Sequence, residues 1–212
     1  MALSAPRLLI VADLDAAGSE ERWLALLRAL VTLRGTEGIA VQVRAKGRPP
    51  EEFVRLARSA RQAGAEGPPL ILNGPAELAA SLGYDGVHWP EAALPPAIPA
   101  AAAPLLRSAA VHSPEAVLRA QSLVHFVVFG PVFPPRSKES SPAGLEALRD
   151  VCAASSVPVL AIGGIGPENA AACLRAGAAG VAVVSAVTAA PDPAGAAEAL
   201  LRAVAEPSDP HR

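Results

Sequence analysis

The feature that most constrains the fold is an unbroken alternation of short apolar, β-branched runs with stretches of helical apolar spacing. The strand-length runs are residues 8–12, 40–43, 70–72, 86–88, 108–111, 126–129, 158–162 and 181–184. The helical spacing is clearest at Trp23, Leu26, Leu27 and Leu30 and at Val54, Leu56, Ala57 and Ala60. Eight such alternations predict an α/β protein with a single-domain TIM (β/α)8 barrel.

The position of the glycines favours the barrel over an open doubly wound sheet. An open sheet would normally carry a Gly-rich phosphate loop after its first strand. Here the first strand ends in Val11-Ala12-Asp13, and the glycine pair comes late in the chain. We expect the barrel domain to cover residues 1–205, with an irregular connection at 94–104 and a disordered tail at 206–212.

Composition restricts the partners and the compartment. The net charge is −2 and no basic stretch occurs, so nucleic acid and anionic membranes are not expected partners. Cys152 and Cys173 both fall in predicted helices, which suits a reducing compartment. We see no signal peptide and no run of membrane-spanning length, and therefore expect a cytoplasmic protein.

Two apolar runs near the end of the chain lead into groups suited to hold a phosphate. Gly163 and Gly164 follow the seventh strand, Val184 ends the eighth, and Ser185 follows it. The loops after the last two strands of such barrels commonly bind phosphate, and glycine permits close approach of the backbone. Ordinary barrel turns without a ligand are the alternative, and we favour phosphate.

The second strand ends in a row of long polar side chains. With a period of two, Gln42, Arg44 and Lys46 share one face. Burying them is costly unless they meet an anionic ligand or a carboxylate. The alternative is that the strand ends early and the cations are solvated. We favour the ligand, and Asn73 at the end of the third strand joins the same edge.

One of the four histidines is placed for proton transfer. His112 follows the fifth strand and precedes a Ser-Pro-Glu helix start, where a neutral imidazole is favoured, so it is a candidate general base. His88 lies inside a strand and is expected to be a core or wall residue. After the sixth strand, Arg136, Ser137 and Lys138 form a Pro-rich loop suited to bind an anion or simply to be solvated.

The ordered set of motifs resembles the thiamine phosphate synthase and TenI superfamily. The matching segments are Gln42-x-Arg44-x-Lys46, Asp85-Gly86-Val87-His88, Val111-His112-Ser113, Phe129-Gly130-Pro131-Val132-Phe133, Ser137-Lys138, Gly163-Gly164-Ile165 and Val183-Val184-Ser185-Ala186. The resemblance implies a TIM barrel that acts on thiamine precursors. It covers the chain from the second strand to the eighth.

The resemblance offers two branches, which differ in their metal chemistry. Synthases join a pyrimidine pyrophosphate to a thiazole phosphate through a pyrimidine cation, and magnesium clamps the departing pyrophosphate. They carry aspartates where this chain has Gly74 and the stretch Pro90-Glu91-Ala92-Ala93, and a glutamate where it has Ala45. Glycine and alanine cannot supply the oxygen ligands that magnesium demands.

The TenI branch is therefore the preferred interpretation: an isomerase, a thiazole tautomerase of thiamine biosynthesis or salvage. It implies His112 as the proton shuttle and no metal or other cofactor. The phosphate of the thiazole would lie against Gly163, Gly164, Val184 and Ser185. The remaining substrate contacts would come from Gln42, Arg44, Lys46, Asn73, Ser137 and Lys138.

Three other functions stay open. The first is a thiamine phosphate synthase, which would need Mg²⁺. The second is a non-catalytic sensor of thiamine-related phosphates. The third is a sugar-phosphate isomerase, for which only Asp13 and Asp15 offer paired acids, and these residues also suit a helix cap. In each reading the partner is a small phosphorylated molecule, and a homo-oligomer is among the states that the sequence allows.

Overall fold

Eight parallel strands close on themselves in the computed structural model, each hydrogen-bonded to the next along the chain and the eighth to the first. The structure describes residues 4–134 and 142–205. The strands are β1 (Leu8–Asp13), β2 (Ile39–Arg44), β3 (Leu70–Asn73), β4 (Gly86–Trp89), β5 (Leu106–Val111), β6 (Phe126–Phe129), β7 (Val159–Ile162) and β8 (Gly180–Val183). The predicted single-domain TIM barrel is confirmed.

Helices follow most strands and cover the outside of the barrel. They are α1 (Leu14–Ala17), α2 (Glu20–Leu30), α3 (Pro50–Ala63), α4 (Ala76–Ser81), α5 (Pro114–Ala120), α6 (Gly144–Ala154), α7 (Ala170–Arg175), α8 (Ser185–Thr188) and α9 (Pro193–Ala205). The connection from β4 to β5 contains two 3-10 helices, Glu91–Ala93 and Ala100–Ala102, which agrees with the irregular segment predicted there.

Arg107 of β5 secures that irregular connection. Its guanidinium donates hydrogen bonds to the carbonyl oxygens of Ala102 and Ala103, both at 3.1 Å, and of Leu123, at 2.9 Å. Arg107 thus links carbonyl oxygens of this irregular connection, and of the loop before β6, to one charged donor group.

The core has two layers, one inside the barrel and one between the strands and the helices. Leu9, Ala40, Ile71, Leu106, Phe126, Val128, Leu160 and Ala182 form the inner cluster. Trp23 belongs to the outer layer, where its indole N–H donates to the Ala12 carbonyl at 2.8 Å. Leu56, Ala57 and Ala60 are buried and form the inner face of α3, whereas Val54, which belongs to the same apolar spacing, is 37% exposed.

The two cysteines are thiols on neighbouring helices. Cys152 lies on α6 and Cys173 on α7, as predicted, and Cys173 is fully buried. Burial raises the pKa of each thiol to about 11, so both stay protonated at neutral pH. Neither is therefore a candidate nucleophile. Within the described ranges, no helix combines the length and apolarity needed to cross a bilayer.

Candidate active site

The candidate site is the end of the barrel at which the strands finish, here called the mouth. Side chains alternate along a strand, so the inner face continues two residues beyond each inner-cluster residue. Two residues beyond Ala40, Ile71 and Leu106 lie Gln42, Asn73 and Ser108. His88 is the neighbour of Asn73 in the register of β3 and β4. These four residues, Gln42, Asn73, His88 and Ser108, form the polar layer just below the mouth.

The two amides of the polar layer are joined to each other. Asn73 donates from Nδ2 to Oε1 of Gln42 at 3.2 Å, and Gln42 is only 3% exposed. A buried amide is costly unless it is hydrogen-bonded, and a primary amide has more donors and acceptors than this one contact uses. The amide donors and acceptors that this contact leaves unused can hydrogen-bond to the edge of a polar heterocycle.

His88 and Ser108 form the other half of the polar layer. Nδ1 of His88 lies 2.9 Å from Oγ of Ser108, and both residues are buried. Burial, with a smaller contribution from the charge of Arg44, lowers the pKa of His88 to about 3. His88 is therefore a neutral wall residue at physiological pH, as the sequence predicted.

Arg44 meets a carboxylate at the upper edge of the polar layer. Asp13 and Arg44 are opposite each other in the register of β1 and β2, and Nη1 of Arg44 donates to Oδ2 of Asp13. The other oxygen, Oδ1, accepts from the Ala16 backbone N–H at 2.9 Å and caps α1. The Asp13 side chain is 6% exposed and that of Arg44 is 30% exposed. The guanidinium is thus held at the mouth with part of its surface open to a ligand.

Lys46 does not share the face of Gln42 and Arg44. Strand β2 ends at Arg44, Ala45 is buried, and Lys46 lies exposed in a turn that Gly47 completes with a positive φ of 70°. A period-two argument fails once the strand has ended. This part of the expectation is wrong.

His112 lies at the rim of the mouth in contact with an acid. Its Nδ1 is 2.7 Å from Oε2 of Glu91, whose Oε1 accepts from Arg119 of α5 at 2.8 Å. A carboxylate only accepts hydrogen bonds, so Nδ1 carries the proton and Nε2 is left for other contacts. The side chain of His112 is 64% exposed. The sequence had not paired His112 with Glu91, because the two residues meet only through the strand order.

Gly163 and Gly164 are required by packing between two loops. A Cβ on Gly163 would lie 2.5 Å from Cβ of Pro131, and one on Gly164 would lie 2.6 Å from the Pro134 carbonyl oxygen. The carbonyls of Ile162 and Gly163 accept from the N–H groups of Val132 and Phe133, at 2.8 and 3.1 Å. Glycine is therefore needed here whether or not a ligand binds.

The amide groups of that turn are nevertheless well placed for an anion. Gly163 and Gly164 directly follow β7, and both residues are half-buried. Ile162 pairs with Ala182 in the β7–β8 register, which brings the turn beside Val184 and Ser185 at the start of α8. Such amides can surround a phosphate. Ser137 and Lys138, predicted to assist, lie outside the described residues.

The described residues of the mouth do not form the ligand set that magnesium requires. Gly74 follows Asn73, and a Cβ there would lie 2.8 Å from Cζ of Phe53. Glu91 is bonded to His112 and Arg119, and Asp13 to Arg44. Across residues 4–134 and 142–205, no three His, Cys, Asp or Glu side chains are grouped to hold a metal ion. The described residues do not fit a magnesium centre.

Comparison with known proteins shows which family has this sequence pattern and this fold. Residues 9–187 match the family described as Thiamine monophosphate synthase. A thiamine-phosphate synthase of Roseiflexus sp. is 35% identical over 218 residues, covering 94% of this chain and 86% of that protein. A thiamine biosynthesis bifunctional protein, ThiM/ThiE, of Symbiobacterium thermophilum is 38% identical over 170 residues, and the match spans only 35% of that longer protein.

A solved structure gives the same result. The thiamine phosphate pyrophosphorylase from Pyrococcus furiosus superposes with a TM-score of 0.74 at 29% identity. The match covers 95% of this chain and 96% of that one.

These comparisons correct the expected reaction. The Roseiflexus protein and further relatives are named thiamine-phosphate synthases, and the solved structure is named a thiamine phosphate pyrophosphorylase. A thiamine-phosphate synthase is a transferase. The thiazole tautomerase interpretation is thereby overturned, and with it the assignment to the isomerases. The error came from giving the absent carboxylates more weight than the motifs shared along the chain.

Proposed function

The chain belongs to the thiamine monophosphate synthase family, and on that premise we propose that it is a transferase that makes thiamine phosphate. Its substrates would be a pyrimidine pyrophosphate and a thiazole phosphate. The observation that carries this proposal is the mouth itself, where the partly exposed guanidinium of Arg44 lies above the paired amides of Gln42 and Asn73. Relatives at 35–37% identity that cover more than two thirds of the chain support it.

The bond changes of this reaction indicate what the mouth must provide. The bond between the pyrimidine's carbon and the pyrophosphate oxygen breaks, and its electron pair leaves with the pyrophosphate. The thiazole nitrogen then supplies the pair for the new carbon–nitrogen bond. Neither step needs a proton acceptor, so the site has to stabilise developing charge rather than move a proton.

Each substrate has a matching part of the mouth. Gln42 and Asn73 offer the amide groups that an aminopyrimidine edge can pair with. Arg44, held by Asp13, faces the charge that develops on the pyrophosphate. The amides of Gly163 and Gly164, beside the start of α8, suit the phosphate of the thiazole. Ser137 and Lys138 stay predictions for the same anions.

The proposal contains no step through a metal ion. The family resemblance implies magnesium, but Gly74 offers no ligand oxygen and Glu91 is engaged by His112 and Arg119. We therefore assign the chemistry to side chains and backbone amides that the described residues supply.

The direct test is formation of thiamine phosphate by the purified full chain from the two substrates, followed by mass spectrometry. We expect Arg44→Ala to lower kcat/KM by about a hundredfold, the cost of losing one charge-stabilising donor. Arg55→Ala is the matched control, because Arg55 pairs with Glu20 on the surface and should leave the rate unchanged.

Two results would contradict the proposal. One is the absence of thiamine phosphate with and without added magnesium. The other is tight binding of thiazole phosphate with no turnover, which would indicate a sensor. Arg44→Lys keeps a positive charge opposite Asp13. Activity retained by this variant would show that the fall in kcat/KM of Arg44→Ala does not come from misfolding alone.

A further inference from the structure

Three described carboxylates at the mouth are paired with basic side chains. Asp13 pairs with Arg44, and Glu91 pairs with both His112 and Arg119. Asp15, on the first helix after β1, pairs with Arg48 at 2.5 Å. A divalent cation binds strongly where several carboxylate oxygens are unshared. These acids instead orient cations, so the mouth presents positive charge without a metal.

From this arrangement we infer that the chain neutralises the departing pyrophosphate with side-chain cations instead of a divalent metal. The inference rests on the proposed function. Arg44 and His112 are the groups that would contact the anion, and Asp13 and Glu91 are their positioning residues. Oδ1 of Asp13 is fixed by the Ala16 amide and Oε1 of Glu91 by Arg119, so each acid is held on one side and directs a cation with the other.

The inference accounts for the charge of the bond-breaking step. When the carbon–oxygen bond breaks, the pyrophosphate gains one negative charge together with the bonding pair. Arg44 is always protonated and can donate two parallel hydrogen bonds to phosphate oxygens. Nε2 of His112 is the ring nitrogen that Glu91 does not occupy, and it donates to the anion only when the ring carries a second proton. No oxidant, reductant or proton donor from outside is required.

Binding of inorganic pyrophosphate, measured by calorimetry on the full chain, tests the inference. We expect the Kd in EDTA to lie within about threefold of the Kd in excess magnesium chloride. Arg44→Ala should weaken binding in EDTA by about tenfold, the value of one charged hydrogen bond, and Arg44→Lys should recover part of it. Arg55→Ala should bind as the unaltered chain does, since its pair with Glu20 lies on the surface.

A positioning role predicts a smaller and specific effect. Asp13→Asn keeps a side chain that can cap α1 but releases Arg44, so pyrophosphate affinity in EDTA should fall by about threefold. In the background of Arg44→Ala the same change should have no effect on affinity. A merely structural role would weaken binding equally in both backgrounds and would overturn this assignment.

The outcomes separate the inference from the proposed function. Pyrophosphate binding, or thiamine phosphate formation, that occurs only with magnesium overturns the inference and leaves the proposed function standing. Product formed at equal rates in EDTA and in magnesium supports both. Absence of product in both buffers overturns the proposed function, whereas pyrophosphate binding in EDTA that Arg44→Ala weakens would still support the metal-free anion site.

Discussion

The two halves of the mouth offer ligands by different means. On the side of β1 to β5, side chains face inward and are held in pairs, such as Arg44 with Asp13 and Asn73 with Gln42. On the side of β6 to β8, the backbone turns at the half-buried Gly163 and Gly164, and its shape is set by the neighbouring loop. Substitution of a side chain can change the ligand groups of the first half. The second half tolerates almost no substitution, because its ligand groups are backbone amides whose positions depend on glycine.

The sharpest test of that contrast is Gly163→Ala. The new Cβ would lie 2.6 Å from Cα of Pro131, on a residue whose φ is +103°. We expect a loss of about 3 kcal/mol in the free energy of unfolding, the sum of overpacking and backbone strain. Gly83→Ala is the control, since its φ is +72° but nothing lies within 4 Å of the new Cβ. It should lose only about 1 kcal/mol. Equal losses in urea denaturation would show that the loop packing does not restrict this half.

A double-mutant cycle on Asp13 and Arg44 probes the side-chain half. Asp13 is almost fully buried, so Arg44→Met leaves an unpaired carboxylate and should cost about 2 kcal/mol of unfolding free energy. With Asp13→Asn already present, the same change should cost well under 1 kcal/mol. Additive costs in the cycle would mean that the two residues do not stabilise each other, and the paired description of this half would be wrong.

The pH dependence of stability should reveal His88. Its folded-state pKa of about 3 lies below the ordinary 6.5, so the unfolded chain binds the proton more readily and stability falls as the pH drops below 6.5. Between pH 6.5 and pH 5 we expect a loss of about 1.5 kcal/mol from this group. His125 contributes in the same direction, because its burial also lowers its pKa.

Urea denaturation of His88→Gln across that pH range isolates the contribution. The variant should show a shallower decline than the unaltered chain. An unchanged slope in His88→Gln would mean that His88 is not held neutral by the barrel.

Sequence patterns predicted the barrel because they repeat. Eight strand-length runs and the helical spacing of Trp23, Leu26, Leu27 and Leu30 are local signals that the core then enforces. The inward face of Gln42 and Arg44 followed from the period of a strand. Lys46 was misplaced because the residue at which a strand ends depends on tertiary packing, which the period of two does not encode.

Pairings across the mouth could not be predicted in the same way. Asp13 was expected as a helix cap, and it is one, but its contact with Arg44 depends on the register of β1 and β2. Glu91 and His112 are 21 residues apart and meet because β4 and β5 are neighbours. The glycine pair was attributed to ligand approach, although the packing of Pro131 and Pro134 already demands it.

The bonds between the loops after β6 and β7 have a consequence for engineering this barrel. Val132 and Phe133 donate to the carbonyls of Ile162 and Gly163, and the two glycines leave no room for another backbone path. The two loops therefore have to be exchanged together. A graft from a related barrel that replaced only one of them would lose the hydrogen bonds and the close packing between them. Transplanting both loops, with the intervening helix α6 and strand β7, is the smallest exchange that keeps their fit.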